Sequence, residues 1–236
     1  MGSAPTIVAI DGPSGSGKST AASLLSSHLN YRLVDSGAMY RAVSLLSIER
    51  GVAPDDAGSL ERLAEEVRDT FTFRYKDGAC LAFLLKRDVS TGIRSREVAL
   101  RVSEVSAHPT VRKKMVDLQR STVGDSDAVV EGRDIATVVF PGARLKVYMV
   151  AGESVRAQRR HKELYGEGGP VTREDVAEVM RERDCTDSSR RTSPLMQAPD
   201  AVLLDTTNLG PEQVLERLVK ECEKRRIEPA ETPPSR

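Results

Sequence analysis

The sequence predicts an α/β fold in which helices flank a central parallel sheet. Three observations predict it. Short β-rich runs recur along the chain, and several of them pass directly into a stretch of helical periodicity. The runs are also near-continuously apolar rather than alternating, as parallel strands covered on both faces are.

The first run, Thr6–Ile10, stops at Asp11-Gly12-Pro13. Helical spacing follows from about Lys18 to Leu29, with Ala21, Leu24, Leu25 and Leu29 along one side. Arg32–Val34 reads as a second strand that ends in Asp35-Ser36-Gly37, and the helix after it, from about Ala38 to Arg50, closes at Gly51. Later strands are expected at Ala128–Glu131, Leu145–Val150 and Ala201–Asp205. Between about Leu60 and Ser90 the alternation fails. There FTFRY and CLAFLLKRDVS flank Lys76-Asp77-Gly78, a hairpin signal, so an inserted antiparallel unit is expected. Helices over about Ser95–Ser106 and Pro109–Ser121 lead back to the sheet. One domain is expected over residues 1–224, and the charged, Pro-rich residues 225–236 are expected to form a disordered tail.

Composition narrows the function classes. The chain has 236 residues, 39% hydrophobic and 30% charged, which suits one well-buried globular domain. Its 35 basic and 35 acidic side chains cancel, and aromatic residues are only 4% with no Trp. Broad nucleic-acid binding, which needs surplus positive charge or stacking platforms, is therefore not expected. No apolar run approaches the ~20 residues of a membrane span, and no leader pattern opens the chain, so a cytoplasmic protein is expected. Cys80, Cys185 and Cys222 lack metal-ligand spacing and read as thiols in a reducing compartment.

Residues 12–19, GPSGSGKS, match G-x-x-x-x-G-K-[ST] in full, after a strand and before a helix. Glycines there let successive backbone N–H groups turn inward onto phosphate oxygens, and the following helix adds its positive end. The triphosphate-binding stretch is thus Gly12, Pro13, Ser14, Gly15, Ser16, Gly17, Lys18, Ser19 and Thr20. Lys18 is expected at the β- and γ-phosphates and the Ser19 hydroxyl on Mg²⁺. This motif alone leaves GTPase, ATPase and kinase open.

A kinase that joins ATP to a second nucleotide must hold two polyanions together. Each unit-charge pair at ~4 Å repels by about 1 kcal/mol in water, and by about 4 at an effective dielectric of 20. Several arginines are then required beyond one lysine and one magnesium ion. Candidates follow the strands: Ser36 and Arg41 after the second, Arg133 and Asp134 after the third, and Arg156, Arg159 and Arg160 after Leu145–Val150. Arg183, Asp187 and Arg190 have i, i+4, i+7 spacing, one face if helical. Each group also has a plain reading as a solvated ion pair or basic helix face. No activated nucleophile is needed, because a monophosphate has a second pKa of about 6 and is already largely deprotonated at neutral pH. His28, His108 and His161 are left as surface or structural residues.

From about Ile7 to Lys220 the sequence resembles the bacterial cytidylate (CMP/dCMP) kinases, P-loop enzymes that phosphorylate nucleoside monophosphates. IDGPSGSGKST, LVDSGAMYRA, IRSREVALRVSEVSAHPTVR, VVEGRDIATVVFPGA, RERDCTDSSRRTSPL and APDAVLLDT carry the resemblance, and EGRDIATVVFP is the most specific. The resemblance implies ATP as donor with Mg²⁺, CMP or dCMP as acceptor, and a monomer. It implies that Ser36, Arg41 and Arg133 hold the acceptor phosphate and that Ser103, Arg112 and Asp134 read the cytosine edge. Arg183, Asp187 and Arg190 fall around the sugar and phosphate, and Arg159 and Arg160 in the ATP lid. Lys18, Arg41, Arg133, Arg159 and Arg160 are the implied catalytic set. A monophosphate-binding insert over about 36–105 and a lid over about 154–190 are implied with them. The chain departs from the family pattern at Lys86 and Arg87 in the insert and in the lid stretch Lys162–Gly169. Two rivals stand beside this reading: a kinase for a hydroxyl-bearing metabolite, with Asp11 or Asp35 as base, and a nucleotide-binding module or nucleic-acid-stimulated ATPase that transfers nothing.

Overall fold

The computed structural model describes residues 4–76, 79–166 and 171–231. They form two compact units, one made of the chain up to Leu33 together with the chain from Asp125, the other of Val34–Gly124.

The first unit begins with β1 (Ile7–Asp11), buried at every residue, and α1 (Lys18–Leu29). Then comes β2 (Arg32–Asp35), within which the division between the units falls. The second unit continues through α2 (Ser36–Glu49) and α3 (Ala57–Thr70). Three short strands follow, β3 (Phe71–Lys76), β4 (Ala79–Leu84) and β5 (Arg87–Asp88), then α4 (Arg96–Ala107) and α5 (Pro109–Val123). The chain returns to the first unit with β6 (Ala128–Gly132), β7 (Leu145–Val150), α6 (Glu153–Tyr165), α7 (Arg173–Ser189), β8 (Val202–Asp205) and α8 (Pro211–Lys224).

The large sheet has the order β2-β6-β1-β7-β8. β1 pairs in parallel with both β6 and β7, and β7 pairs in parallel with β8. The expected parallel sheet is therefore present. β1 is central because both faces of its pleat are apolar and buried: Ile7 and Ala9 line one, and Val8 and Ile10, with zero exposure, line the other. Val8 and Ile10 pack with Ala21, Leu25 and Leu29 of α1, with Val147 and Met149 of β7, and with Val214 and Leu218 of α8. Each fully buried Leu or Ile contributes about 1.5–3 kcal/mol. This packing sets the carboxyl ends of β1 and β6 side by side, with Asp11 opposite Gly132.

Three expectations are corrected here. Residues 57–70 are a helix, not part of the antiparallel unit: Asp56 caps α3 by accepting from the Ser59 N–H at 2.9 Å, and Leu60, Leu63, Ala64 and Val67 form one buried stripe. The antiparallel sheet is the order β3-β4-β5, and the hairpin residues Asp77 and Gly78 lie outside the described residues. The second unit also runs on to Gly124 rather than 105, because α4 packs on α2 and α5 on α3. The disordered tail expected from 225 does not describe residues 225–231. There Ile227 is buried, the Ala230 N–H donates to Leu29 O at 2.8 Å, and Tyr31 Oη donates to Glu228 O at 3.0 Å.

The departure at Lys86 and Arg87 has a local account. Leu85 and Lys86 both adopt left-handed backbone, with φ of 51° and 64°, in the two-residue turn between β4 and β5, and Arg87 pairs with Glu49 at 2.7 Å. Exposed pairs of this kind contribute about 0–1 kcal/mol.

Candidate active site

In the first unit the glycine-rich turn leaves β1 and enters α1. A Cβ on Gly12 would lie 2.1 Å from Met149 O and one on Gly15 2.7 Å from Arg156 O, so backbone occupies the space a side chain needs. Gly17, at φ 91°, is the N-cap residue of α1; the cap makes no side-chain hydrogen bond and the first turn holds no acid. The amides of that turn thus keep their capacity to bind an anion.

Lys18 is buried and donates from Nζ to Pro13 O at 2.7 Å and to Ser16 Oγ at 3.4 Å. Burial lowers its pKa to about 7; Arg133 and Arg183 push the same way, against Glu131 and Asp11. Two arginines from distant parts of the sequence thus lie close enough to Lys18 to repel its proton.

Those arginines belong to one cluster. Asp187, on the buried side of α7, meets Arg133 Nε at 3.3 Å, Arg190 Nη2 at 3.3 Å and Arg183 Nε at 3.9 Å. The i, i+4, i+7 spacing of Arg183, Asp187 and Arg190 has the consequence expected of it, since α7 runs from Arg173 to Ser189 and Arg190 caps it. Burial alone would raise the Asp187 pKa, but Arg133, Arg183 and Arg190 outweigh it and hold the carboxyl below its ordinary value. Three guanidiniums thus share one carboxylate.

Asp134 is buried beside Arg133, at the head of a single π-type turn, Ile135–Val139. In that turn Phe140 N–H donates to Ile135 O at 2.7 Å, five residues back. Such turns recur at functional sites.

The segment expected as lid supplies two contacts to the turn. Arg156 of α6 donates to Ser14 O at 3.1 Å and pairs closely with Asp184 of α7, whose other oxygen accepts from Ser14 N–H at 3.4 Å. Arg159 donates to Thr206 O at 2.8 Å and to Thr206 Oγ1 at 3.1 Å, and lies 3.5 Å from Gly15 O. Burial lowers the pKa of Arg159. Arg160 points elsewhere, pairing with Glu163 one turn along α6 at 2.9 Å.

In the second unit Ser36 is buried at the start of α2. Asp35 caps that helix by accepting from Ala38 N–H at 2.9 Å, and it also accepts from Arg41 at 2.7 Å and Arg94 at 3.4 Å. Burial pushes the Asp35 pKa up, and the two arginines more than reverse this. Ser103, on α4, has a buried hydroxyl with no hydrogen-bond partner among the described residues. Arg112 is buried on α5, donates to Ser106 O at 3.2 Å and lies over the Tyr40 ring at 5.2 Å.

Sequence reasoning missed Arg94, Asp184 and Thr206. Thr206 is buried, donates through Oγ1 to Ser16 O at 2.9 Å and so supports the turn from β8. The only local signal for it was its place just after a strand.

A divalent ion fits the donors present. Among the described residues no three His, Cys, Asp or Glu side chains gather as a metal-binding group. Ser19 is exposed in the first turn of α1. One hydroxyl suits Mg²⁺, which keeps waters and takes its remaining ligands from substrate phosphates.

Comparison with known proteins agrees with this geometry. The family model described as cytidylate kinase matches residues 8–224. A cytidylate kinase of Syntrophotalea carbinolica is 45% identical over 91% of this chain and 90% of that protein. Those of Carboxydothermus hydrogenoformans and Paraburkholderia phymatum are 41% and 42% identical, over 90% and 91% of this chain and 95% and 91% of theirs. A complete phosphate-binding turn, an arginine cluster beside its lysine and a match along nearly the whole length lead to one conclusion: the chain belongs to the cytidylate kinase family.

Proposed function

We propose that the protein transfers the γ-phosphoryl group of ATP to CMP or dCMP, giving ADP and CDP or dCDP. The observation that carries this reading is the gathering of Arg133, Arg183 and Arg190 on Asp187, within electrostatic reach of Lys18. A hydrolase for one triphosphate needs no such gathering of arginines; a kinase holding a second phosphorylated substrate does.

The roles divide as follows. Gly12 to Thr20 cradle the triphosphate, with Lys18 at the transferred group. Ser19 would hold Mg²⁺, which would supply neutralising charge to the bound triphosphate. Arg159 and Arg160 belong to the lid, with Arg159 already oriented by Thr206. In the second unit Ser36 and Arg41 are assigned to the acceptor phosphate, and Ser103 and Arg112 to the base. Ser103 supports its assignment by having a buried hydroxyl without a hydrogen-bond partner among the described residues. In the first unit Arg133 is assigned to the acceptor phosphate, Asp134 to the cytosine amine, and Arg183, Asp187 and Arg190 to the sugar and phosphate. Asp134 can accept from the exocyclic amine of cytosine, which uracil lacks, so acceptor choice rests on it. All these residues lie in one chain, so a monomer suffices, working in the cytoplasm where both nucleotides are at hand. Among the described residues no helix is long and apolar enough to cross a membrane.

The rival kinase for a hydroxyl-bearing metabolite needs a free carboxylate as base. Asp35 is engaged by Ala38 and two arginines, and Asp11 by two backbone amides at 2.9 and 2.7 Å. The deciding experiment offers labelled ATP with CMP, dCMP, UMP, AMP and small alcohols in turn. Label is expected in CDP and dCDP, more slowly in UDP. Label confined to a sugar or acid product overturns the reading.

A further inference from the structure

Asp11 is the last residue of β1 and immediately precedes the phosphate-binding turn, yet it takes no part in cradling phosphate. Its exposure is 1%, and its carboxylate is spent on a segment 124 and 125 residues away. Oδ1 accepts from the Ile135 N–H at 2.9 Å and Oδ2 from the Ala136 N–H at 2.7 Å. These two amides open the π-type turn directly after Arg133 and Asp134. The first amides of a helical turn lack partners within it, and in a buried setting each must find an acceptor.

Here one carboxylate satisfies both, with one oxygen each. The arrangement is a two-point hold, which fixes the orientation of the peptide planes as well as their distance. Burial raises the Asp11 pKa to about 6 in spite of those hydrogen bonds, and the charge of Asp134 adds to the rise. A carboxylate kept at 1% exposure, where burial disfavours its charge, calls for a function beyond packing. Phosphate chemistry does not supply one, because an anion beside Lys18 works against binding a polyphosphate.

We propose that Asp11 is a positioning residue for acceptor recognition, holding the Ile135–Ala136 backbone so that Asp134 and Arg133 are presented in the geometry that selects cytosine nucleotides. The inference rests on the assignment of Asp134 to the base given above. It makes the strand that carries the ATP site also the anchor of the acceptor-reading loop.

The test uses the full-length enzyme and four forms: wild type, D11N, D134N and the double variant. Asn at 11 retains one acceptor but turns an NH₂ group toward the second amide, so the two-point hold is lost with almost no change in volume. For each form, kcat and KM are measured for CMP, UMP and ATP, with thermal melting alongside. D11N is expected to raise the KM for CMP about tenfold and to narrow the ratio of kcat/KM for CMP over UMP by a similar factor. The KM for ATP should stay within about twofold.

In the double variant the CMP/UMP ratio should equal that of D134N alone, since a residue acting through Asp134 has nothing left to position. If D134N leaves the CMP/UMP ratio unchanged, the assignment of Asp134 to the base fails. If D134N changes the ratio and D11N does not, or if the two effects multiply, the role given to Asp11 is wrong and that of Asp134 survives. A D11N effect confined to melting temperature, or shared equally by ATP and CMP, also overturns it. If D11N does not fold, D11S replaces it, because its smaller side chain leaves room for a water against the two amides.

Discussion

At the scale of single residues, the site is governed by how charges share a dry interior. Lys18 is the clearest case, because burial, Arg133 and Arg183 together bring its pKa from 10.5 to about 7. In the unfolded chain the lysine holds its proton until about 10.5, whereas the folded, nucleotide-free protein releases it at about 7. Between these values the unfolded state binds more protons, so stability rises with pH through that window; below it the full penalty of a buried ammonium is present. Bound polyphosphate reverses the balance by placing several negative charges against Nζ. ATP binding at pH 8 should therefore take up close to one proton, and at pH 6, where Lys18 is already charged, nearly none from this residue. Titration calorimetry in buffers of differing ionisation enthalpy measures this directly, and K18M should abolish the uptake at pH 8. Uptake that persists in K18M places the proton on another group. The same setting explains why Asp187 is useful: a carboxylate held ionised by three arginines keeps them together before any substrate arrives.

At the scale of elements, α6 and α7 jointly engage the phosphate-binding turn through the pair Arg156 and Asp184. Arg156 donates to Ser14 O and to Ala151 O, both at 3.1 Å, and its partner Asp184 accepts from Ser14 N–H. Both side chains are mostly buried, at 12% and 18% exposure, so removing one partner leaves the other badly solvated. A loss of about 1–3 kcal/mol is expected for R156A, or about 5- to 150-fold in ATP binding. D184N keeps an acceptor for the Ser14 amide and should cost less. Fluorescent-nucleotide titration without acceptor measures the effect, and a variant that weakens CMP while sparing ATP would show that the pair serves another site. The spacing of Arg183, Asp187 and Arg190 made the α7 side of this region legible in advance, because helical periodicity is local. The partners of Arg156 were not, since Ser14 and Asp184 stand 142 and 28 residues away. Arg160, next to Arg159 in sequence, pairs with Glu163 rather than with the turn, since successive residues on a helix point about 100° apart. In the second unit the stripe Leu60, Leu63, Ala64, Val67 was a readable helix, but the hairpin signal after it drew the antiparallel assignment too far upstream.

At the scale of the whole molecule, the features legible in the sequence are those fixed by neighbours in the chain: parallel strands from continuous apolar runs, and the phosphate turn from its glycines. What was hidden depends on closure over long distances, as with Asp11 reaching Ile135 or Thr206 reaching Ser16. The C-terminal segment belongs to this class. Its composition reads as disordered, yet residues 225–231 seal the end of α1. Ile227 joins the cluster formed by Leu25, Leu29 and Cys222, Ala230 bonds Leu29 O, and Asn30 Nδ2 donates to Ala230 O at 3.0 Å. Arg144, just before β7, donates to Arg225 O at 3.0 Å. Ending the chain at Lys224 removes one buried Ile, worth about 2–5 kcal/mol by comparison with truncation to Ala, and several hydrogen bonds of about 1 kcal/mol each. Because the exposed cluster can partly collapse, a net loss of about 3–5 kcal/mol is expected, and a fall in Tm of roughly 6–20 °C at about 2–4 °C per kcal/mol. I227A alone should give about half of it. Among the described residues no hydrogen bond or ion pair joins this segment to Lys18, Asp187 or the phosphate turn, so kcat/KM measured well below the transition should stay within twofold of wild type. Unchanged melting would mean that the segment does not pack in solution, whereas a large loss of activity in a chain that still melts normally would give it a part in catalysis.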